Sequence, residues 1–445
     1  MIELTPELVA IIMMGGLLIG VFSGFPLAYV VGFLGLVVGF FVWQGQAPQL
    51  IYMRAYTIML NYTLLAIPLF VFMGTMLEYS GIVEKLYDAL YLWLGGFRGG
   101  LAAVTIIVGV IMAATVGIVT ASITLLTLVA LPSMVKRGYD HSLASGACVA
   151  GGCLGILIPP SIMIVVYGPM ANVSVGKLFF GAFIPGFLLG GLYIAYITVR
   201  SLLQPNLGPP VPLEQRKAPM SKKLYMLLTS LVPPVILIAS VLGVIYLGIA
   251  APTEAAAMGA FAATLLTIAY KRFNWKVLQE TMRMTVRLCG FILFVGAMSF
   301  AFTGVFLGAG GGDIVTDLIM AAPGGKWGAF VVMQFIVFFL GFFIDWIGIV
   351  FIMVPIISLA AVAVGFDLVW FSVMVCINLQ TSFITPPFAM ALYICKGVAD
   401  PSLNVKLDEI IKGAIPYVAL ILVGMALCIA FPELITWLPS KMLTR

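Results

Sequence analysis

The sequence predicts an all-α polytopic membrane protein, built as an inverted repeat with two re-entrant helical hairpins and two broken helices. Three observations predict it. The 445 residues are 63% hydrophobic and only 9% charged, against roughly 25% charge in an ordinary soluble domain. Proline landmarks recur in two halves at a nearly constant offset. Two long apolar stretches are interrupted without any solvated, multiply charged loop.

Composition sets the class first. No hydrophilic block is large enough for a separate soluble domain, so the chain reads as multi-pass membrane protein. The opening MIELTPELVAIIMMGG lacks a basic n-region and a small-residue cleavage site, so the first apolar run is expected as a retained helix. Cys148, Cys153, Cys289, Cys376, Cys395 and Cys428 form no CxxC pair and read as small core residues. His141 is the sole histidine and cannot build a metal site alone. No GxxxxGK[ST] loop is present, and GAGGGD at Gly308–Asp313 has no βαβ context. An enzyme would need clustered His, Cys or carboxylates, and only isolated acids occur; nucleic acid is not an expected partner.

Charge gives the threading. Basic residues collect at Lys136 and Arg137, from Arg200 to Lys223, from Lys271 to Arg287 and from Lys396 to Lys412. The positive-inside rule places these loops in the cytoplasm. The N-terminus is then outside, as is the C-terminus with Lys441 and Arg445. The Pro-rich stretch QPNLGPPVPLEQRKAPMSKK is inside and reads as a joint. It divides the chain into a first half (1–200), a linker (201–224) and a second half (225–445).

The two halves share one plan. Pro26 corresponds to Pro252, Pro132 to Pro355, the pair Pro159-Pro160 to Pro386-Pro387, and Pro185 to Pro416, at offsets of 223 to 231 residues. The threading starts the halves on opposite sides, which is the inverted repeat of secondary transporters.

Each half carries one interrupted apolar stretch. Arg98 to Lys136 is broken by AATVGIVTAS, and Gly325 to Asp367 by GFFIDWIG. Re-entrant hairpins are expected at about 98–136, opening to the cytoplasm, and at about 325–367, opening outside. A broken helix follows each, at about 141–171 and about 368–395. Adjacent prolines in GILIPPSIMIVVYG and SFITPPFAMALY each remove a backbone donor, at about 3 kcal/mol in a helix interior. Such a break frees carbonyls for a cation and exposes half-helix N-termini to an anion.

Several long motifs resemble the large membrane subunit (DctM-like) of the tripartite ATP-independent periplasmic, or TRAP, transporters. They are LLAIPLFVFMG, ALPSMVKRGYD, GGCLGILIPPSIMIVVYG, GIAAPTEAAAMGA, GFFIDWIGIVFIMVPI and NLQTSFITPPFAMALY, in order over most of the chain. The resemblance implies an elevator-type fold of the ion-transporter superfamily in a bacterial inner membrane. It implies sodium as coupling ion and no other cofactor. Implied partners are a small membrane subunit (DctQ-like) and a periplasmic binding protein (DctP-like) that delivers a small organic anion. The signature NLQTSFITPPF resembles the branch handling 2-oxo monocarboxylates and related small acids.

The resemblance carries a second-half sodium site onto Gly341, Ser382, Thr385 and Phe388. Internal symmetry transfers it to Gly155, Ile158 and Ser161, with the first tip near Gly117. One departure stands out: many relatives have a serine-rich first tip, and here it reads VGIV, flanked by Thr115 and Thr120. Those threonines, Asp345, Trp346, Asn378, Gln380 and Thr381 are the substrate-site candidates. Asp345 could attract a cation or cap a helix. The cluster Asn378, Gln380, Thr381 and Ser382 could form a pocket or join helices. Trp346 could wall the pocket or pack. Glu254 reads as a helix-start residue with Thr253 as cap, and Arg54 as an interfacial charge in a short outer loop. Residues 271–287 and 400–412 read as amphipathic arms. The rival readings are a stand-alone sodium–carboxylate symporter, a channel or a membrane enzyme.

Overall fold

The computed structural model describes residues 5–43, 46–212, 214 and 217–443. Residues 1–4, Arg445, and Leu213, Gln215 and Arg216 of the linker lie outside the described residues, with the readings placed on them.

The first half contains α1 (Pro6–Phe22), α2 (Leu27–Trp43), α3 (Ala47–Met59), α4 (Ala66–Tyr79), α5 (Ile82–Leu94), α6 (Gly100–Val116), α7 (Val119–Val135), α8 (His141–Cys153), α9 (Ile162–Ala171) and α10 (Val175–Leu203). The second contains α11 (Met220–Tyr246), α12 (Pro252–Ala269), α13 (Trp275–Gly308), α14 (Gly311–Met320), α15 (Gly325–Leu340), α16 (Trp346–Ala363), α17 (Leu368–Ile384), α18 (Met390–Val398), α19 (Leu407–Ala430) and α20 (Glu433–Ser440). Seven helices among the described residues are long and apolar enough to cross a membrane.

The matched prolines fall in equivalent places. Pro26 precedes α2 and Pro252 opens α12. Pro132 and Pro355 lie inside α7 and α16, and Pro185 and Pro416 inside α10 and α19. Both Pro-Pro pairs lie in the gaps after α8 and α17. A further pair escapes a search for prolines: Asp140 and Asp367, 227 residues apart, cap α8 and α17 by accepting from the amides of Leu143 (3.0 Å) and Trp370 (2.8 Å). Such a cap supplies about 1 kcal/mol and fixes where each broken helix begins.

The halves interlock. Hairpin α6–α7 packs on α8 of its own half and on α18 of the other, while α16 packs on α9 and α19 on α8. The helices α1–α5 and α11–α13 pack largely on one another at the side, with α4 reaching the first hairpin. Gly74 makes that last contact possible: a Cβ there would lie 2.3 Å from the carbonyl oxygen of Val116.

Three sequence readings are corrected. Arg54 sits within helix α3, not in a loop, and its side chain lies against Gly304 of α13. The segments 275–287 and 407–412 are not separate arms but the first turns of the continuous helices α13 and α19. At 34 residues and 1.5 Å per residue, α13 is far longer than a hydrocarbon core of about 30 Å requires. At the start of α12 the cap position is Ala251 rather than Thr253, and Glu254 Oε2 accepts from the Ala251 amide at 2.9 Å; the helix-start role of Glu254 stands.

The linker is also more than a joint. It runs across the base of the first hairpin, where Gly99 and Asp140 donate to the carbonyls of Gly208 (2.9 Å) and Leu207 (3.0 Å), and Val211 donates to that of Gly95 (2.8 Å).

Candidate functional site

Each proline pair withdraws two donors from the helix ladder. In the first half Pro159 and Pro160 cannot donate to the carbonyls of Gly155 and Ile156, four residues back. The Ser161 hydroxyl takes over one of them, donating to Ile156 at 2.5 Å. Gly155, by contrast, loses its helical donor. In the second half Pro386 and Pro387 release Ser382 and Phe383 in the same way. Gly155 and Ser382 are thus equivalent in chemistry as well as in position.

Both hairpin tips meet a break. At the first tip Gly117 adopts φ 63°, a left-handed conformation that favours glycine. A Cβ on it would lie 3.0 Å from the Pro160 carbonyl oxygen and 3.7 Å from the Ile162 amide nitrogen. The second tip is the turn from Gly341 to Asp345. A Cβ on Gly341 would lie 2.3 Å from the Ser382 Cβ, so the tip rests on the last turn of α17. Gly117 and Ser161 are therefore together, as are Gly341 and Ser382. Ile158 is buried and its side chain packs against Gly186 of α10.

The two breaks differ in access. Every residue from Gly151 to Gly168 is buried. In the second, Pro386 and Pro387 are exposed and Thr385 and Phe388 half-buried. A cavity of about 560 Å³ lies there, bounded by Asp345, Phe343 and Phe388 together with Pro26 of the α1–α2 turn and Phe294 of α13. That volume falls within the range of small-molecule sites. Trp346 packs into the core beside Asp345 rather than lining the cavity.

Asp345 occupies the N-cap position of α16, yet its carboxylate makes no cap hydrogen bond. Its Oδ1 is buried with no hydrogen-bond partner among the described residues. The amides of Trp346 and Ile347 still face the carboxylate, so a weakened capping role stands beside one buried oxygen, Oδ1, left open to a cation.

The polar cluster on α17 separates into distinct roles. The Asn378 side chain donates to the Gln334 carbonyl (2.7 Å) and to its Oε1 (2.9 Å), joining α17 to α15. Thr381 donates to Asn378, Ser382 to Leu379 and Thr385 to Thr381, each hydroxyl keeping its lone pairs free to accept. Gln380 is fully buried, and neither Nε2 nor Oε1 has a partner among the described residues. At the first tip, the buried Thr115 donates back to the Ile111 carbonyl at 3.0 Å, while Thr120 is exposed.

Two further candidate residues escape sequence reading. Gln334 is one polar residue in an aromatic run, and only the fold aligns it with Asn378. Ser122 lies in the first turn of α7, and its Oγ is 3.6 Å from where a Gly155 Cβ would be. That hydroxyl is buried and unpartnered among the described residues. It lies beside Gly155, one turn beyond the serine-poor VGIV tip, and the TAS that follows the tip is its signal in the sequence.

Comparisons with known proteins give the family and the fold. The "C4-dicarboxylate TRAP transporter large permease protein DctM" of Vibrio cholerae is 30% identical over 406 residues, covering 86% of this chain and 87% of that one. The isethionate TRAP transporter permease protein DctMQ of Oleidesulfovibrio alaskensis is 27% identical over 416 residues, covering 92% of this chain and 63% of that longer one. The solved structure of the Alcanivorax borkumensis YdaH transporter shares the fold, with a TM-score of 0.61 at 16% identity over 95% of this chain and 98% of that one. The family description "Tripartite ATP-independent periplasmic transporter, DctM component" matches residues 11–434. With two hairpin tips resting on two proline-broken helices and a family match across nearly its whole length, the chain belongs to the DctM component family of TRAP transporters.

Proposed function

We propose that this chain is the permease of a sodium-coupled importer, moving a small organic anion by an elevator mechanism. One observation carries the reading: each hairpin tip lies against a break whose prolines have released main-chain carbonyls. Hard cations prefer such oxygen ligands. In the first half Gly155, Ile158 and Ser161, with Gly117 and the Ser122 hydroxyl, would hold one sodium ion. In the second, Gly341, Ser382, Thr385 and Phe388 would hold another.

Electrostatics supports coupling. The helices α7, α9, α16 and α18 all begin at a tip or a break, so their N-terminal amides favour an anion. Asp345 opposes it, since two like charges near one cavity repel strongly where water is scarce. A cation beside Asp345 reverses that sign, so sodium and anion promote each other's binding, as reciprocal coupling requires. Gln380 can supply a donor and an acceptor to the same assembly.

The substrate class is a carboxylate, with a 2-oxo or hydroxy monocarboxylate as the specific expectation. A periplasmic binding protein delivers it, and a small membrane subunit completes the permease in the bacterial inner membrane. Sodium is the coupling ion, and no further cofactor is needed. The test is uptake of labelled 2-oxo acids into proteoliposomes, with the small subunit and binding protein present or omitted in turn. Uptake should require both partners. Sodium-driven uptake by the chain alone would instead assign a stand-alone symporter, and unsaturable, sodium-independent flux a channel.

A further inference from the structure

Away from the hairpins, a cavity of about 680 Å³ opens where α5, α11 and α12 meet. Its walls are of two kinds. Lys85 and Asp88 of α5 and Lys271 after α12 give it a charged mouth, while Met226, Pro233 and Leu266 give it an apolar floor. Lys85 Nζ lies 4.3 Å over the ring centroid of Tyr270, which holds the ammonium at the entrance.

The cavity has a cause in the sequence. Pro233 and Pro234 lie inside α11 and cannot donate to the carbonyls of Thr229 and Ser230. The Tyr270 hydroxyl donates to the Thr229 carbonyl, bridging α11 to the end of α12. Thr229 and Ser230 both line the cavity, so its inner end offers polar main chain as well as side chains.

Its surroundings identify the occupant. The flanking faces of α11 and α12 expose Leu228, Val232, Leu265 and Ile268, the apolar surface a membrane-embedded helix turns to acyl chains. Further cations stand near in the chain: Arg272 follows Lys271 and lies beside Gly81, and Lys222 and Lys223 stand in the first turn of α11. Cations over an inter-helix pocket, continuous with an acyl-facing surface, match a lipid with an anionic head. Asp88 is the one acid in the lining among the described residues. Burial, then Glu84, pushes its carboxyl above the ordinary range, which lessens its opposition to an anion.

We infer that this cavity binds the headgroup of an anionic glycerophospholipid, its phosphate between Lys85 and Lys271 and its acyl chains along Val232 and Leu265. The lipid would brace α5, α11 and α12 at the basic end of the molecule.

Native mass spectrometry of the full chain in a neutral detergent tests this, adding phosphatidylglycerol, phosphatidylcholine or inorganic phosphate in separate arms. One phosphatidylglycerol should remain bound, in preference to phosphatidylcholine, and free phosphate should not compete. Losing one lysine should weaken binding about fivefold, and Lys85→Gln with Lys271→Gln about thirtyfold, at about 1 kcal/mol per cation. Lys326→Gln with Lys412→Gln, both far from the cavity, should leave it unchanged. Equal retention by both double variants, or full displacement by inorganic phosphate, would overturn the inference. Should the Lys85/Lys271 variant fail to fold, a photoactivatable phosphatidylglycerol on the unaltered chain decides. Adducts concentrated in 225–233 and 265–271 support the site, and adducts spread evenly over lipid-facing helices refute it. Exclusion of lipid by the small membrane subunit at this face would also refute it, assigning the surface to a protein partner.

Discussion

Gln380→Leu separates a functional amide from a structural one. The side chain is fully buried, and both of its polar atoms lack partners among the described residues. A buried unsatisfied donor or acceptor costs about 1–3 kcal/mol. Leucine is close to glutamine in volume and needs no hydrogen bond, so the ligand-free variant should be at least as stable as the parent, by about 1–3 kcal/mol. A thermal-unfolding scan in detergent would read this as a rise of a few degrees. Ligand response should move the other way. At a hundredfold excess over Kd, sodium plus substrate stabilises the parent by about 2.7 kcal/mol, and Gln380→Leu should lose most of that shift. Asn378→Leu provides the contrast, because it removes bonds of 2.7 and 2.9 Å to Gln334 and should destabilise the ligand-free protein. If Gln380→Leu melts lower without ligand and keeps the full ligand shift, Gln380 is a structural amide and its role at the site is wrong.

Three further outcomes follow from the same geometry. Thr385→Ala should raise the sodium concentration for half-maximal uptake about tenfold, the loss of one charge-assisted oxygen contact, with Thr385→Ser restoring it; an unchanged sodium dependence would remove Thr385 from the site. Gly341→Ala places a methyl 2.3 Å from the Ser382 Cβ; overpacking of about 1–3 kcal/mol should displace the tip and cut uptake while the chain still reaches the membrane, as size-exclusion profiles would show. Replacing Pro386 and Pro387 by alanine returns amide donors to the Ser382 and Phe383 carbonyls and should abolish sodium-driven uptake, whereas full uptake would mean the break is dispensable.

Much of the architecture was legible because proline and glycine act locally. A proline removes its donor whatever surrounds it, so the breaks at 159–160 and 386–387 could be placed from spacing, and the tips near 117 and 341 were placed within the interrupted stretches by the family resemblance. What met what was harder to read. Helices such as α6, α7 and α16 are apolar almost all round, so periodicity names no inward face. The alignment of Gln334 with Asn378, and of Ser122 with Gly155, therefore appears only in three dimensions. Arg54 was misplaced for a related reason: APQLIYMRAYTIM mixes polar and apolar residues like an interfacial loop, yet α13 packs along it as a helix. The unequal access of the two breaks is likewise invisible in sequence, since near-identical proline pairs end up buried in one half and exposed in the other.

Sodium at the breaks is the central claim, and ion-dependent uptake tests it most directly. Permease, small subunit and substrate-loaded binding protein are reconstituted in proteoliposomes, and uptake is compared under equal inward gradients of sodium, potassium or protons. The account predicts accumulation only with sodium, saturating with its concentration and suppressed by Thr385→Ala. Equal accumulation under a potassium or a proton gradient would contradict it.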